Sequence, residues 1–163
     1  DYSDFGKLFD TVSVCLSKGL GCPVGSILIC KEKYFQKALK IRKIFGGGMR
    51  QSGYLAACGI YALENNIKGI SNDHSRAKEI SNLLNKSYFV EEVYPVETNI
   101  IIFKNKDQFS TQDFIDFMDY NGVKLIGMGD NKLRLVTHAD YTANHHEKFM
   151  NLLSKINEEN LLK

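Results

Sequence analysis

Residues 11–30 read TVSVCLSKGLGCPVGSILIC, two short apolar runs rich in β-branched residues, separated by a loop of glycines, a proline and one lysine. TVSVCL alternates in polarity and predicts a strand ending at Ser17-Lys18-Gly19, while SILIC predicts a second, buried strand. Beyond them, residues 33–45 carry Phe35, Ala38, Leu39 and Ile41 at helical spacing, and Gly46-Gly47-Gly48 stops that helix. A second helix is expected from about Gln51, with the small residues Ala56, Cys58, Gly59 and Ala62 on one face, and a third over residues 71–84. VEEVYPVETNIIIF then suggests two extended segments broken at Pro95. Ser110 is placed to cap a helix striped by Phe114, Phe117 and Met118. Residues 123–128 and 132–138 read as strands about the turn Gly129-Asp130-Asn131, and Thr142 is placed to cap a last helix carrying Phe149, Leu152, Leu153 and Ile156. The order is mixed α/β, without internal repeats.

Composition narrows the function classes. The chain has 163 residues, with 21 Lys plus Arg against 19 Asp plus Glu, a formal charge of +2, and 44% hydrophobic residues. This excludes low-complexity disorder and leaves no broad basic footprint for nucleic acid or an anionic membrane. No apolar run approaches the roughly 20 residues that cross a bilayer. Cys15, Cys22, Cys30 and Cys58 match neither a CxxC pair nor zinc-ligand spacing, and three of them sit in apolar runs, where Cys behaves as a small buried hydrophobe. That usage suits a reducing, cytoplasmic setting. His74, His145 and His146 fall on polar helix faces, where solvation is the ordinary reading, so no metal site is expected. GLGCPVG and GMGDNK lack the spacing of a nucleotide-binding loop and read as tight turns.

Three basic residues stand out. Lys18 closes an apolar strand between Ser and Gly; a lysine amine condenses with an aldehyde only when neutral, which a semi-buried site favours, although a surface-turn lysine is the plainer reading. In RKIFGGGMRQ, glycines leading into a helix bring backbone N–H groups near Arg50, an anion-binding arrangement, against the alternative of an ordinary helix break. Arg134 lies in KLRLVTH among apolar neighbours, where a guanidinium normally meets a carboxylate, either a ligand's or an internal partner's.

Taken in order, VSVCLSKGLGCPVGSILI, IRKIFGGGMRQSGYLAACGIYALENN, VETNIIIF and KLRLVTHADYT resemble the low-specificity L-threonine aldolases, over nearly the whole chain. The resemblance implies a lyase dependent on pyridoxal 5′-phosphate (PLP) that splits L-threonine or L-allo-threonine into glycine and acetaldehyde, in threonine breakdown and glycine formation. It implies that Lys18 holds PLP with Ser17 beside it, that Arg50 and the nearby Lys43 reach toward the cofactor phosphate across a subunit interface, and that Arg134 grips the amino-acid carboxylate. His138 matches a family position and is expected to support the Arg134 strand. The implied partners are a small amino-acid substrate and further copies of the same chain, as a dimer of dimers with shared active sites.

The same resemblance implies that several active-site segments lie outside this chain: a phosphate loop, a histidine stacked on the ring, and an Asp-Gly-Ala-Arg segment. The chain is therefore expected to be a C-terminal half, inactive alone, with an α/β fold made of the end of a large PLP domain (residues 1–86) and a small C-terminal α/β domain (residues 87–163). Exposed edges are expected on the first part. The alternatives are another PLP-dependent lyase or a racemase, and a non-catalytic α/β assembly module.

Overall fold

The computed structural model describes residues 2–159 and 162, and the chain divides into two compact units, Asp1–Ile67 and Lys68–Lys163. The first unit opens with a short helix, α1 (Tyr2–Leu8), which the sequence pattern does not announce. Strands β1 (Thr11–Cys15) and β2 (Ser26–Cys30) follow, then helices α2 (Glu32–Ile44) and α3 (Gly53–Asn65). β1 and β2 form an antiparallel ribbon with Val14 opposite Ile27. The expected burial of β2 is not found: Ile27, Leu28 and Ile29 are 40%, 52% and 56% exposed. Among the described residues no third strand joins this ribbon, and two strands alone bury little of either face. α2 buries none of its residues, and in α3 only Gly59 and Ala62 are buried.

Helix α4 (Ile67–Leu84) leads into the second unit, so the boundary expected after residue 86 falls inside that unit. It is followed by β3 (Val90–Val93), β4 (Ile100–Asn105), α5 (Thr111–Tyr120), β5 (Ile126–Gly129), β6 (Lys132–Val136) and α6 (Ala143–Glu159). The strands form one antiparallel sheet in the order β3-β4-β6-β5. Period-two alternation sends Ile101 and Phe103 of β4, and Leu133 and Leu135 of β6, to one face. There they meet Ala77, Ile80 and Leu84 of α4, Phe114 and Met118 of α5, and Phe149, Leu153 and Ile156 of α6.

The caps foreseen from sequence form. Asp113 N donates to Ser110 Oγ (3.2 Å) and His145 N donates to Thr142 Oγ1 (3.3 Å). The β5–β6 turn holds Gly129, Asp130 and Asn131 at φ of 80°, 50° and 58°, a left-handed run that these residue types tolerate best. Among the described residues, no helix is long and apolar enough to cross a membrane.

Candidate functional site

Lys18 sits in the loop between β1 and β2, and that loop is tied down at several points. Leu16 N donates to Gly25 O (2.9 Å), Cys22 N to Leu16 O (3.0 Å) and Gly21 N to Lys18 O (2.8 Å). Asn66 Nδ2, just past α3, donates to Leu20 O (2.7 Å), and Cys22 Sγ lies 3.6 Å from Cys58 O. Gly59 completes the seat, because a Cβ there would come within 3.3 Å of Leu16 Cδ1. The small-residue face of α3 is thus what lets the loop lie against the helix. The loop is fixed while Ser17 and Lys18 themselves are exposed. A semi-buried amine is therefore not what the described residues alone provide. Among them Lys18 makes no ion pair, so no carboxylate competes for its amine. Of the cysteines, Cys22 alone is buried; Cys15 and Cys58 are exposed, because the apolar runs that hold them lie on uncovered faces.

The glycine run after α2 is a helix terminator first. Gly46 N donates to Lys43 O and Gly47 N to Arg42 O, with Gly46 at φ +84°, an arrangement that satisfies the last carbonyls of α2. These two N–H groups are engaged within the helix end and do not point to an anion. Gly47 has no room for a side chain, since a Cβ would lie 3.0 Å from Arg42 O and 2.6 Å from Arg42 Cγ. At Gly48 a Cβ would stand 2.9 Å from Lys43 Cδ and 3.1 Å from its Nζ, so the missing side chain is what lets Lys43 lie against the glycine run. Lys43 and Arg50 are exposed, and among the described residues neither forms an ion pair.

Arg134 belongs to the second unit, at the middle of β6 and on the sheet face away from the helices. Its register partners are Ile102 on β4 and Ile126 on β5. The guanidinium is half-buried, and its Nε is buried without a hydrogen-bond partner. No carboxylate among the described residues pairs with it, so the internal ion pair that sequence left open does not form. An unpaired guanidinium among apolar neighbours is poised to take a planar anion from outside. His138 lies beyond the strand, where its Nδ1 accepts from Asp140 N (3.3 Å) and stands 3.8 Å from Asp140 Oδ2, so it organises the turn leading to α6.

Sequence reasoning placed His146 in solvent, but the fold places it in a bridge. His146 Nε2 is 2.9 Å from Glu79 Oε2 on α4, and its Nδ1 is 3.1 Å from the Tyr141 hydroxyl. Burial pushes the Tyr141 hydroxyl up to about 12, so it stays protonated beside Nδ1. The hydrogen bond from His146 holds the Glu79 carboxyl below its ordinary value. The partners are 67 residues apart in sequence, so no local signal could have joined them.

The beta-eliminating lyase family model matches residues 1–108. Low-specificity L-threonine aldolase 1 of Arabidopsis thaliana is 37% identical over 139 residues, which is 83% of this chain and 39% of that protein. The low specificity L-threonine aldolase of Escherichia coli strain K12 is 38% identical over 131 residues, 80% of this chain and 38% of that protein. The chain thus spans 38–39% of the length of these two relatives. Among solved structures, a candidate L-allo-threonine aldolase from Listeria monocytogenes aligns with a TM-score of 0.72 at 22% identity, over 93% of this chain and 46% of that one. A serine palmitoyltransferase from Sphingomonas wittichii aligns with a TM-score of 0.74 at 13% identity, over 99% of this chain and 43% of that one. At these identities the likeness is one of fold.

Proposed function

The chain belongs to the beta-eliminating lyase family, and from that membership we propose that the protein containing it is a PLP-dependent aldolase. It would cleave L-threonine or L-allo-threonine between Cα and Cβ, releasing glycine and acetaldehyde. The observation that carries this reading is Arg134, an unpaired, half-buried guanidinium in a chain 37–38% identical to proteins named low-specificity L-threonine aldolases.

The residues present fit PLP at two places. Lys18 offers an amine without a competing carboxylate on a loop held firmly by backbone hydrogen bonds, and Ser17 lies beside it. Lys43, whose side chain lies against Gly48, and Arg50, two residues on from that glycine, are exposed cations that offer themselves to a phosphate. Lys18 would hold the group, while Lys43 and Arg50 would neutralise its phosphate. When bound, PLP supplies a ring that accepts the electrons released at Cα. Arg134 would hold the substrate carboxylate by a two-point fork, and fixing that group selects which bond at Cα lies perpendicular to the ring.

The exposed apolar faces of the first unit support assembly with the rest of the protein and with further copies of it, sites being shared between subunits. Free cysteines favour a cytoplasmic location.

The test is peptide mass mapping of the full-length protein after incubation with PLP and borohydride, together with a glycine-release assay on L-threonine. A pyridoxyl group on Lys18 and glycine formed with acetaldehyde are expected. No adduct at Lys18 in a folded protein would overturn the cofactor assignment, and loss of an amino group or of stereochemistry without glycine release would move the reaction to another bond at Cα.

A further inference from the structure

We propose that Ile102 and Ile126 are positioning residues for the substrate carboxylate, flanking the Arg134 guanidinium on both sides with apolar side chains where an acidic neighbour would compete for it. This rests on the reading of Arg134 given above and names the neighbours through which that arginine acts.

The strand register sets the geometry. Arg134 lies directly opposite Ile102 across the β4–β6 pairing and opposite Ile126 across the β5–β6 pairing. Directly opposed residues share a face with Cβ atoms about 4.5–5.5 Å apart. The three therefore form a row with the cation in the middle and the isoleucines two strand spacings, about 10 Å, apart. One row further along, Ile100 lies opposite Val136 and continues the apolar surface.

The same face carries two other cations, and their surroundings differ. Lys104 Nζ lies 2.7 Å from Glu91 Oε2, and Lys132 Nζ lies 5.7 Å from the centre of the Tyr94 ring. Arg134 has neither a carboxylate nor a ring, and its Nε is buried without a partner. Isoleucines occupy the two positions from which an acidic side chain would have cancelled the charge. Apolar neighbours on both sides give the guanidinium no competing acceptor and displace part of the water that otherwise weakens an ion pair, so an incoming carboxylate is held more tightly than beside polar side chains.

The test uses the full-length PLP-loaded protein with Ile102→Thr and Ile126→Thr, which make these neighbours polar, and Ile102→Val and Ile126→Val, which match threonine in shape but stay apolar. Ile126 is 62% exposed on the edge strand, so its variants retain the fold. Each Thr variant is expected to raise KM for L-threonine about 3- to 10-fold with kcat within about twofold, and to steepen the rise of KM with added NaCl. The Val variants should behave as wild type, and glycine titrated without turnover should bind more weakly to the Thr variants by the same factor. Wild-type KM and salt response in the Thr variants, with Arg134→Lys still raising KM, would overturn the role of the isoleucines and leave Arg134 standing. Val variants as impaired as Thr variants would assign the effect to packing and overturn the proposal. An unchanged KM in Arg134→Lys would remove the reading beneath it as well.

Discussion

Residues 68–163 bury one continuous core rich in phenylalanine, leucine, isoleucine and methionine between four strands and three helices, whereas among the described residues of the first unit the buried hydrophobic ones are only Leu16, Leu20, Cys22 and Ala62. The large apolar side chains that remain exposed divide in the opposite sense. Among the described residues, those in the second unit are Tyr120, Ile126, Met128 and Val136; the others, from Phe5 and Leu8 to Tyr61 and Ile67, lie in the first. Both units have similar local regularity, with capped or terminated helices and paired strands. Local regularity and a closed core are therefore separate achievements: the second needs apolar faces to find one another, and in the first unit β2, α2 and α3 still present theirs outward.

The widest test of this contrast is to express the units separately. Residues 68–163 are expected to unfold cooperatively in a thermal melt followed by circular dichroism, and residues 1–67 to show no cooperative transition and to bind a hydrophobic dye. A sharp transition in the shorter piece would break the comparison. Next in size, Phe103→Ala empties a fully buried position and is expected to cost about 3–5 kcal/mol in urea unfolding of the chain. Phe45→Ala removes a ring that is 85% exposed and is expected to change stability by less than about 0.5 kcal/mol.

Smaller again, Ser110→Ala removes the acceptor for Asp113 N and is expected to cost about 1 kcal/mol, measured in the same way. The least effect belongs to the Glu79–His146 bridge, whose Glu79 side chain is 55% exposed and so is screened by solvent; Glu79→Gln is expected to cost about 0.5 kcal/mol at neutral pH. The Glu79 carboxyl is held below its unfolded value, so its contribution is complete above the ordinary glutamate range and is lost as pH falls through the lowered folded value. Wild type and Glu79→Gln should therefore converge in stability on acidification, and a difference that persists below that range would show that the bridge does not act through charge.

Much of the second unit was legible because its signals are local. Ser110 and Thr142 cap the helices they precede, the Gly129-Asp130-Asn131 turn forms between the expected strands, and the Phe114 and Met118 stripe enters the core. In the first unit, the alternation of residues 11–15 and the helix-stopping glycines were equally readable. The buried state assumed for SILIC was not found, because burial depends on what covers a strand and not on the strand. α1 escaped notice because seven residues hold too few turns for a periodic signal.

The candidate site divides in the same way. By itself the sequence determined where the strands and turns fall, that Lys18 lies on a loop after an apolar strand, that Arg134 sits within a strand, and that the blocks around both match one family. Spacing and residue type carry such information, because helix and strand periods act over a few residues. Tertiary structure alone decided that His146 bridges to Glu79, and that Arg134 stands between two isoleucines with no acidic partner among the described residues. Each of these depends on what lies opposite a group in space, and chain positions far apart in sequence are brought opposite one another only by the packing of the sheet and its helices.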